Sequence, residues 1–354
     1  MKRILFIVII STLLITGCSL SINTKSSSNL GVYKSENFAD SWQQKVNAGV
    51  SGKKAITISG LSVNKIIFDP LTLENIYLLT TDRGIYVSHD KGELWQSTAL
   101  NQGSYVNLGF DPENSDILYT AYDGRIIKSV NGGKSWQTLY FETQAGQHIT
   151  DLAVDHSQGK VIYATTNTGA LIKSEDYGTT WQIFKRFGKT YINRIILDPR
   201  DSKIIYIVIS GKGIYRTDDG GVNWQLIAES LKDFPKALNI NGFSFFPKNP
   251  DVFLITTDYG LLISENKGGS FKAVTTLLTF GTKIDKAIFD SDNSDIIYIV
   301  KDNKLHKTEN GGNKWQTILL PTDNSVSDLK IYPDPEKIKG SVLYLTVKKA
   351  PKKK

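Results

Sequence analysis

The residue types best suited to chemistry recur at a fixed spacing. Seven segments, 35-SENFADSW-42, 88-SHDKGELW-95, 129-SVNGGKSW-136, 174-SEDYGTTW-181, 217-TDDGGVNW-224, 264-SENKGGSF-271 and 308-TENGGNKW-315, follow [ST]-x-[DN]-x-G-x-x-[WF], with Ala39 replacing Gly in the first. A carboxylate at a fixed distance from an aromatic ring could serve as a general acid or hold a cation. The copies themselves decide against that. The acidic position is Asp90, Asp176 and Asp219, but Asn37, Asn131, Asn266 and Asn310 in the rest. A general acid or metal ligand would not survive four changes to an amide, whereas a turn-capping acceptor does. The Gly supplies a left-handed backbone position. The aromatics Trp42, Trp95, Trp136, Trp181, Trp224, Phe271 and Trp315 cover the hairpin. This box is scaffold.

A second polar set is less uniform. Lys65, Asn107, Asp151, Arg194, Gly242, Lys286 and Asp328 each lie four residues before the Asp-Pro-like position that ends a strand. Two readings stay open for the charged members Lys65, Asp151, Arg194, Lys286 and Asp328. They could bind an anionic or sugar-like group, or they could pair with one another, Asp151 with the Arg194 strand and Lys286 with the Asp328 strand. Which applies depends on the elements that position them.

Those elements repeat with the box. One strand ends in the Asp-Pro turn (65-KIIFDP-70, 107-NLGFDP-112, 194-RIILDP-199), and a β-branched, aromatic strand follows (75-NIYLLT-80, 204-IIYIV-208, 342-VLYLT-346). A third strand leads into the box and a fourth leaves it. The box is thus the turn of a β-hairpin. Four antiparallel strands per 40–45 residues, radially repeated, mark an all-β fold, a β-propeller. Labelled A to D from the axis outward, there are seven A strands, seven B strands and seven boxes. The chain nevertheless starts at strand C (31-GVYKS) and stops after strand B. The expected fold is a seven-bladed propeller of four-stranded blades over residues 30–349. Its last blade is closed by A and B from residues 325–347 and C and D from residues 31–46. Closure removes open sheet edges. The irregular Ala39 turn makes residues 31–46 the segment expected to open first.

In such a ring the A–B and C–D turns occupy one face, and the B–C and D–A loops surround the channel on the other. The polar column should ring that second, loop-side mouth. The loops add Tyr140, Glu142, His148, Lys185, Arg186, Lys189 and Tyr191, and a long connection at 226–242 whose middle could form a short helix ended at Pro235. The four histidines show no ligand spacing. His306 fills a packing position in strand C, while His89 and His156 fall in turns. No metal or cofactor is expected.

The ends carry address rather than fold. Lys2 and Arg3, an apolar run over 4–14 and small residues before Cys18 lay out a signal peptide at 1–17. The segment around Cys18, the single cysteine, resembles a bacterial lipobox, which implies lipidation at Cys18 and membrane attachment. The alternative is an ordinary signal peptide with an incidental Cys. Residues 18–29 read as a Ser-rich tether, and 350–354 as a basic tail. With one cysteine the exported domain forms no internal disulfide. The formal charge of +7 is inflated by the signal and the tail, and nothing in the chain suggests nucleic-acid binding.

The box pattern resembles the Asp-box, or BNR repeat. It is shared by sialidases, xyloglucan-degrading propellers, sortilin-type receptors and photosystem II assembly-factor propellers. The sialidase likeness would imply an arginine trio on a substrate carboxylate, but residues after 17 hold six arginines, with Arg200 and Arg216 off the mouth. The xyloglucan-degrading enzymes imply a cleft between two propellers, and one is present here. The assembly-factor-like propellers imply a lipid-tethered, monomeric binding or assembly module. An unknown protein or glycan of the bacterial cell envelope would be its partner, at the outer membrane or the outer leaflet of the plasma membrane. A glycoside hydrolase is the alternative.

Overall fold

A computed structural model of the chain describes residues 29–274, 282–333 and 341–350. The signal peptide, Cys18, all of the tether but Asn29, and tail residues 351–354 lie outside the described residues. Seven four-stranded antiparallel sheets account for nearly all of the secondary structure. In blades 1 to 6 strand A begins at Val63, Leu108, Ile149, Ile192, Ile240 and Lys286, and each blade pairs A to D in sequence order. Blade 7 joins Ser325–Ile331 and Leu343–Lys348 to Gly31–Ser35 and Gln43–Gln44. The expected closure is the observed one.

Closure rests on more than strand pairing. Gly31–Ser35 pairs residue for residue with Leu343–Val347. Tyr332 Oη donates to Leu73 O at 2.9 Å and Tyr344 Oη to Lys91 O at 2.6 Å, tying blade 7 to blade 1. Phe68 of blade 1 meets both rings edge-on, at 5.3 and 5.5 Å. Apolar clusters fill the spaces between neighbouring blades, so burial is distributed around the ring.

The repeated turn has one geometry. The hydroxyl of Ser129 accepts the Gly133 N–H at 2.9 Å, and Asn131 Oδ1 accepts the Ser135 N–H at 2.9 Å. Asp176 does the same for Thr180 at 2.8 Å, Asn266 for Ser270 at 2.8 Å, and Asn310 for Lys314 at 2.8 Å. Asn37, Asp90 and Asp219 repeat the bond to Ser41, Leu94 and Asn223. An amide oxygen and a carboxylate oxygen are interchangeable here because each is used only as an acceptor. The two residues before the last three run left-handed in every copy. In the first copy they are Phe38 and Ala39, with φ of 57° and 72° and no glycine to ease them.

The tryptophans divide. Trp136, Trp181, Trp224 and Trp315 donate Nε1–H to the carbonyl of their own turn glycine, at 2.9–3.1 Å. Trp95 is fully buried and donates instead to Lys45 O at 2.9 Å. It lies under a two-stranded hairpin, Asn47–Ser51 with Lys54–Thr57, inserted between blades 7 and 1. Trp42 Nε1 is buried without a partner. The connection at 226–242 contains a 3-10 turn at Glu229–Leu231, shorter than the helix expected before Pro235. His306 is buried, as its place in strand C requires, and its Nδ1 lies 3.0 Å from Thr317 Oγ1.

Candidate functional site: the loop-side mouth of the channel

The polar column lies where strand A leaves the loop face. In blades 1, 3, 4, 5 and 7 the pairing with strand B slips by one residue just before the column, between Val63/Lys65, Ile149/Asp151, Ile192/Arg194, Ile240/Gly242 and Val326/Asp328. Such bulges re-aim the side chains beside them. The extra residues are Asn64, Thr150, Asn193, Asn241 and Ser327, all polar. Sequence reasoning missed this second ring, although a polar residue directly before the column was its visible signal.

All five charged candidates, Lys65, Asp151, Arg194, Lys286 and Asp328, line one cavity of about 750 Å³, together with Asn64, Asn107, Thr150, Asn193, Phe243 and Lys330. At the other end of the axis an apolar cavity of about 430 Å³ is walled by Leu71, Phe110, Pro112, Val154 and Leu197. The two share Asn107, Leu108 and Ile195. The mouth is therefore polar and charged, and the turn-side end is oily.

The expected ion pairs do not form. Among the described residues no salt bridge within 4.0 Å joins Asp151 to Arg194 or Lys286 to Asp328. Asp151 Oδ1 instead accepts the Leu152 N–H at 3.0 Å, and its Oδ2 the Ile195 N–H of the next blade at 3.2 Å. Asp328 repeats this with Leu329 at 3.1 Å and, across the closure, Ile66 at 3.3 Å. Lys65 Nζ donates to Val106 O at 2.6 Å, and Asn107 Nδ2 to Leu152 O at 3.1 Å. Each of these four column residues clasps the inner strand of the next blade. The carboxylates take N–H groups and the cation and amide take carbonyls, because the channel-side edge of the innermost strands leaves both kinds of backbone group to satisfy.

The electrostatics follow from four cations sharing one channel. Burial lowers the Lys65 ammonium below its ordinary range, with Asp151 opposing and Arg194 adding to the effect. Burial brings Lys286 down to about 8, with Asp328 opposing and Arg194, Lys330 and Lys65 repelling its charge. Lys65, Arg194, Lys286 and Lys330 face Asp151 and Asp328, so the lining is formally cationic.

The other loop candidates stand outside this cavity's walls. Tyr140 donates to Glu142 Oε2 at 3.0 Å, and burial with that carboxylate raises its phenol to about 12. His148 and Tyr191 approach at 6.2 Å between ring centres. His89 and His156 contact Asn75 Oδ1 and Asp198 O in the turns, as their positions required.

The fold defines the class, a seven-bladed β-propeller, here with a charged loop-side mouth. Known proteins agree on that class. The family model for sortilin, neurotensin receptor 3, matches residues 169–260. A xyloglucanase of a Paenibacillus species is 26% identical over 140 residues, covering 33% of this chain and 14% of its own length. The photosystem II assembly lipoprotein Ycf48 of Synechococcus sp. (strain CC9902) is 26% identical over 110 residues, covering 30% of this chain and 32% of its own. The chain thus spans under a third of either relative. Among solved structures, YCF48 from Cyanidioschyzon merolae has a TM-score of 0.62 at 16% identity, over 81% of this chain and 95% of its own. A GH74 xyloglucanase from Xanthomonas campestris reaches 0.64 at 16%, over 87% and 52%. A structure of YCF48 bound to a D1 peptide reaches 0.62 at 14%, over 86% and 100%. At these identities the likeness is one of fold, a Ycf48-like and sortilin-like propeller.

Proposed function

We propose that this chain is a non-catalytic binding or assembly module that takes a protein or glycan at its loop-side mouth. The observation that carries the reading is the state of the mouth carboxylates. Asp151 and Asp328 are buried, and each uses both oxygens on backbone N–H groups. A general acid or nucleophile must present a free oxygen to substrate, whereas these two brace adjacent blades. A solved Ycf48 propeller holding a D1 peptide supports protein binding as the mode. Xyloglucanases among the similar proteins keep a glycoside hydrolase as the second reading.

Attachment at Cys18 fits this reading geometrically. The described chain enters at Asn29 on the loop face, and the last strand ends at Lys348 on the same face. Asn29, Lys348 and Lys349 line one depression there. A lipid on Cys18 would join the chain eleven residues before Asn29. It would hold the mouth toward the leaflet.

A panel of fluorogenic sialosides and β-glucosides tests the absence of catalysis. No turnover is expected, and turnover abolished by Asp151→Asn or Asp328→Asn would overturn the reading. Metabolic labelling with palmitate tests the anchor. Label is expected on the wild type and absent from Cys18→Ser, and label that persists in the variant removes the anchor.

A further inference from the structure

The ring of clasps is broken over three consecutive blades. Lys65, Asn107, Asp151 and Asp328 each bond the next blade's inner strand. In blades 4, 5 and 6 the column holds Arg194, Gly242 and Lys286. Among the described residues no hydrogen bond or ion pair involves the side chain of Arg194 or Lys286. Gly242, between them, contributes no side chain. A Cβ there would lie 2.7 Å from Thr256 Oγ1, a buried hydroxyl without a partner, so the gap is built to stay open. Phe243 adds a ring to the same cavity wall.

An unpaired guanidinium and an unpaired ammonium in a confined cavity are unusual, since a charge removed from water without a partner is costly. The two carboxylates in the cavity offset it only through space, Asp328 opposing the loss of the Lys286 proton, because the oxygens of both are committed to backbone N–H groups. A guanidinium presents a planar fork that matches an oxyanion in two bonds, and an ammonium adds a point charge. We propose that Arg194 and Lys286, on either side of Gly242, form a site for one oxyanion of the ligand, a carboxylate or a phosphate group. This rests on the loop-side mouth being the binding site, and adds the chemistry of the group bound there.

The site should weaken above neutrality. Lys286 is the group that titrates, facing Asp328, Arg194, Lys330 and Lys65, and its proton is lost around pH 8.

The test is calorimetric titration of the detergent-purified full chain with inorganic phosphate, glucuronate and, as the neutral control, glucose at low ionic strength. Binding of phosphate or glucuronate is expected, the stronger of the two naming the class, with at least a tenfold loss in Arg194→Met and in Lys286→Met. A fall between pH 7 and 9 is expected in the wild type and absent in Lys286→Met. Removing an unpaired, half-buried cation should leave the fold intact, and thermal melting checks this. Neither anion binding, or binding unchanged in both variants, overturns the site. The broader reading is measured separately by capture of a partner from native membranes. Capture that survives Arg194→Met/Lys286→Met but is blocked by Asn193→Trp keeps the mouth as binding site and removes the oxyanion site. Capture lost in neither removes both.

Discussion

The turn face and the loop face of this ring are built from the same seven repeats and could hardly differ more. On the turn face, each box hydroxyl and each box Asp or Asn accepts the same two backbone N–H groups. On the loop face the corresponding column reads Lys, Asn, Asp, Arg, Gly, Lys, Asp. Repetition marks a job every blade must do, such as ending a hairpin. Divergence marks positions where a blade is free to differ, and here the differences converge on one cavity. Four column residues still serve structure by clasping the next blade. The three that do not, in adjacent blades, are where ligand chemistry has room.

This contrast predicts stability losses on the turn face and gains at the mouth. The largest effect belongs to Trp95, fully buried and bonded to Lys45 O beneath the inserted hairpin. Trp95→Ala should cost about 3–5 kcal/mol, measured by denaturant unfolding, well above Trp42→Ala, whose Nε1 has no partner. At the mouth the sign reverses, and Lys286→Met should stabilise the fold at pH 7 by roughly 1–3 kcal/mol. The pH dependence follows from the same group. Its folded pKa of about 8 lies below the unfolded value of about 10.4. The unfolded chain therefore binds more protons between those values, and wild-type stability should rise with pH across that window. Lys286→Met should flatten the rise.

Asn131→Ala removes the acceptor for the Ser135 N–H and should cost about 1 kcal/mol, while Asn131→Asp should be close to neutral at pH 7. Asp176 and Asp219 offer the acid counterpart. The Thr180 hydroxyl and N–H hold Asp176 at about 2, and the Asn223 N–H with the Thr217 hydroxyl holds Asp219 there. These depressed values contribute stability that is present above about pH 4 and lost as pH falls toward 2. Asp176→Asn/Asp219→Asn should unfold less steeply in acid than the wild type. The smallest effect is expected at Ala39. Its left-handed φ of 72° favours Gly, but its methyl is fully buried, so Ala39→Gly should shift stability by under about 1 kcal/mol. Hydrogen exchange should show residues 37–42 opening before the Gly31–Ser35 strand.

Blade count, closure and the structural role of the box were legible because all three are periodic. Asn substituting for Asp at position 131 or 266 was enough to exclude a catalytic role for the box. The partners of the mouth charges were not legible. Asp151 and Arg194 lie in neighbouring blades, so pairing was a fair expectation. The bulge at Ile149/Asp151, however, brings the carboxylate to the Ile195 N–H, and a one-residue slip leaves little trace in sequence. The hairpin at Asn47–Thr57 fell outside the repeat and was missed, as was its consequence for Trp95.

The most direct test of the mouth as binding site is partner capture from native membranes by the full chain, compared with one variant on each face. The account predicts that Asn193→Trp, which fills the mouth, abolishes capture, while Asp176→Asn on the turn face leaves it unchanged. Capture that survives Asn193→Trp and is lost in Asp176→Asn would place binding on the wrong side of the ring and contradict the account.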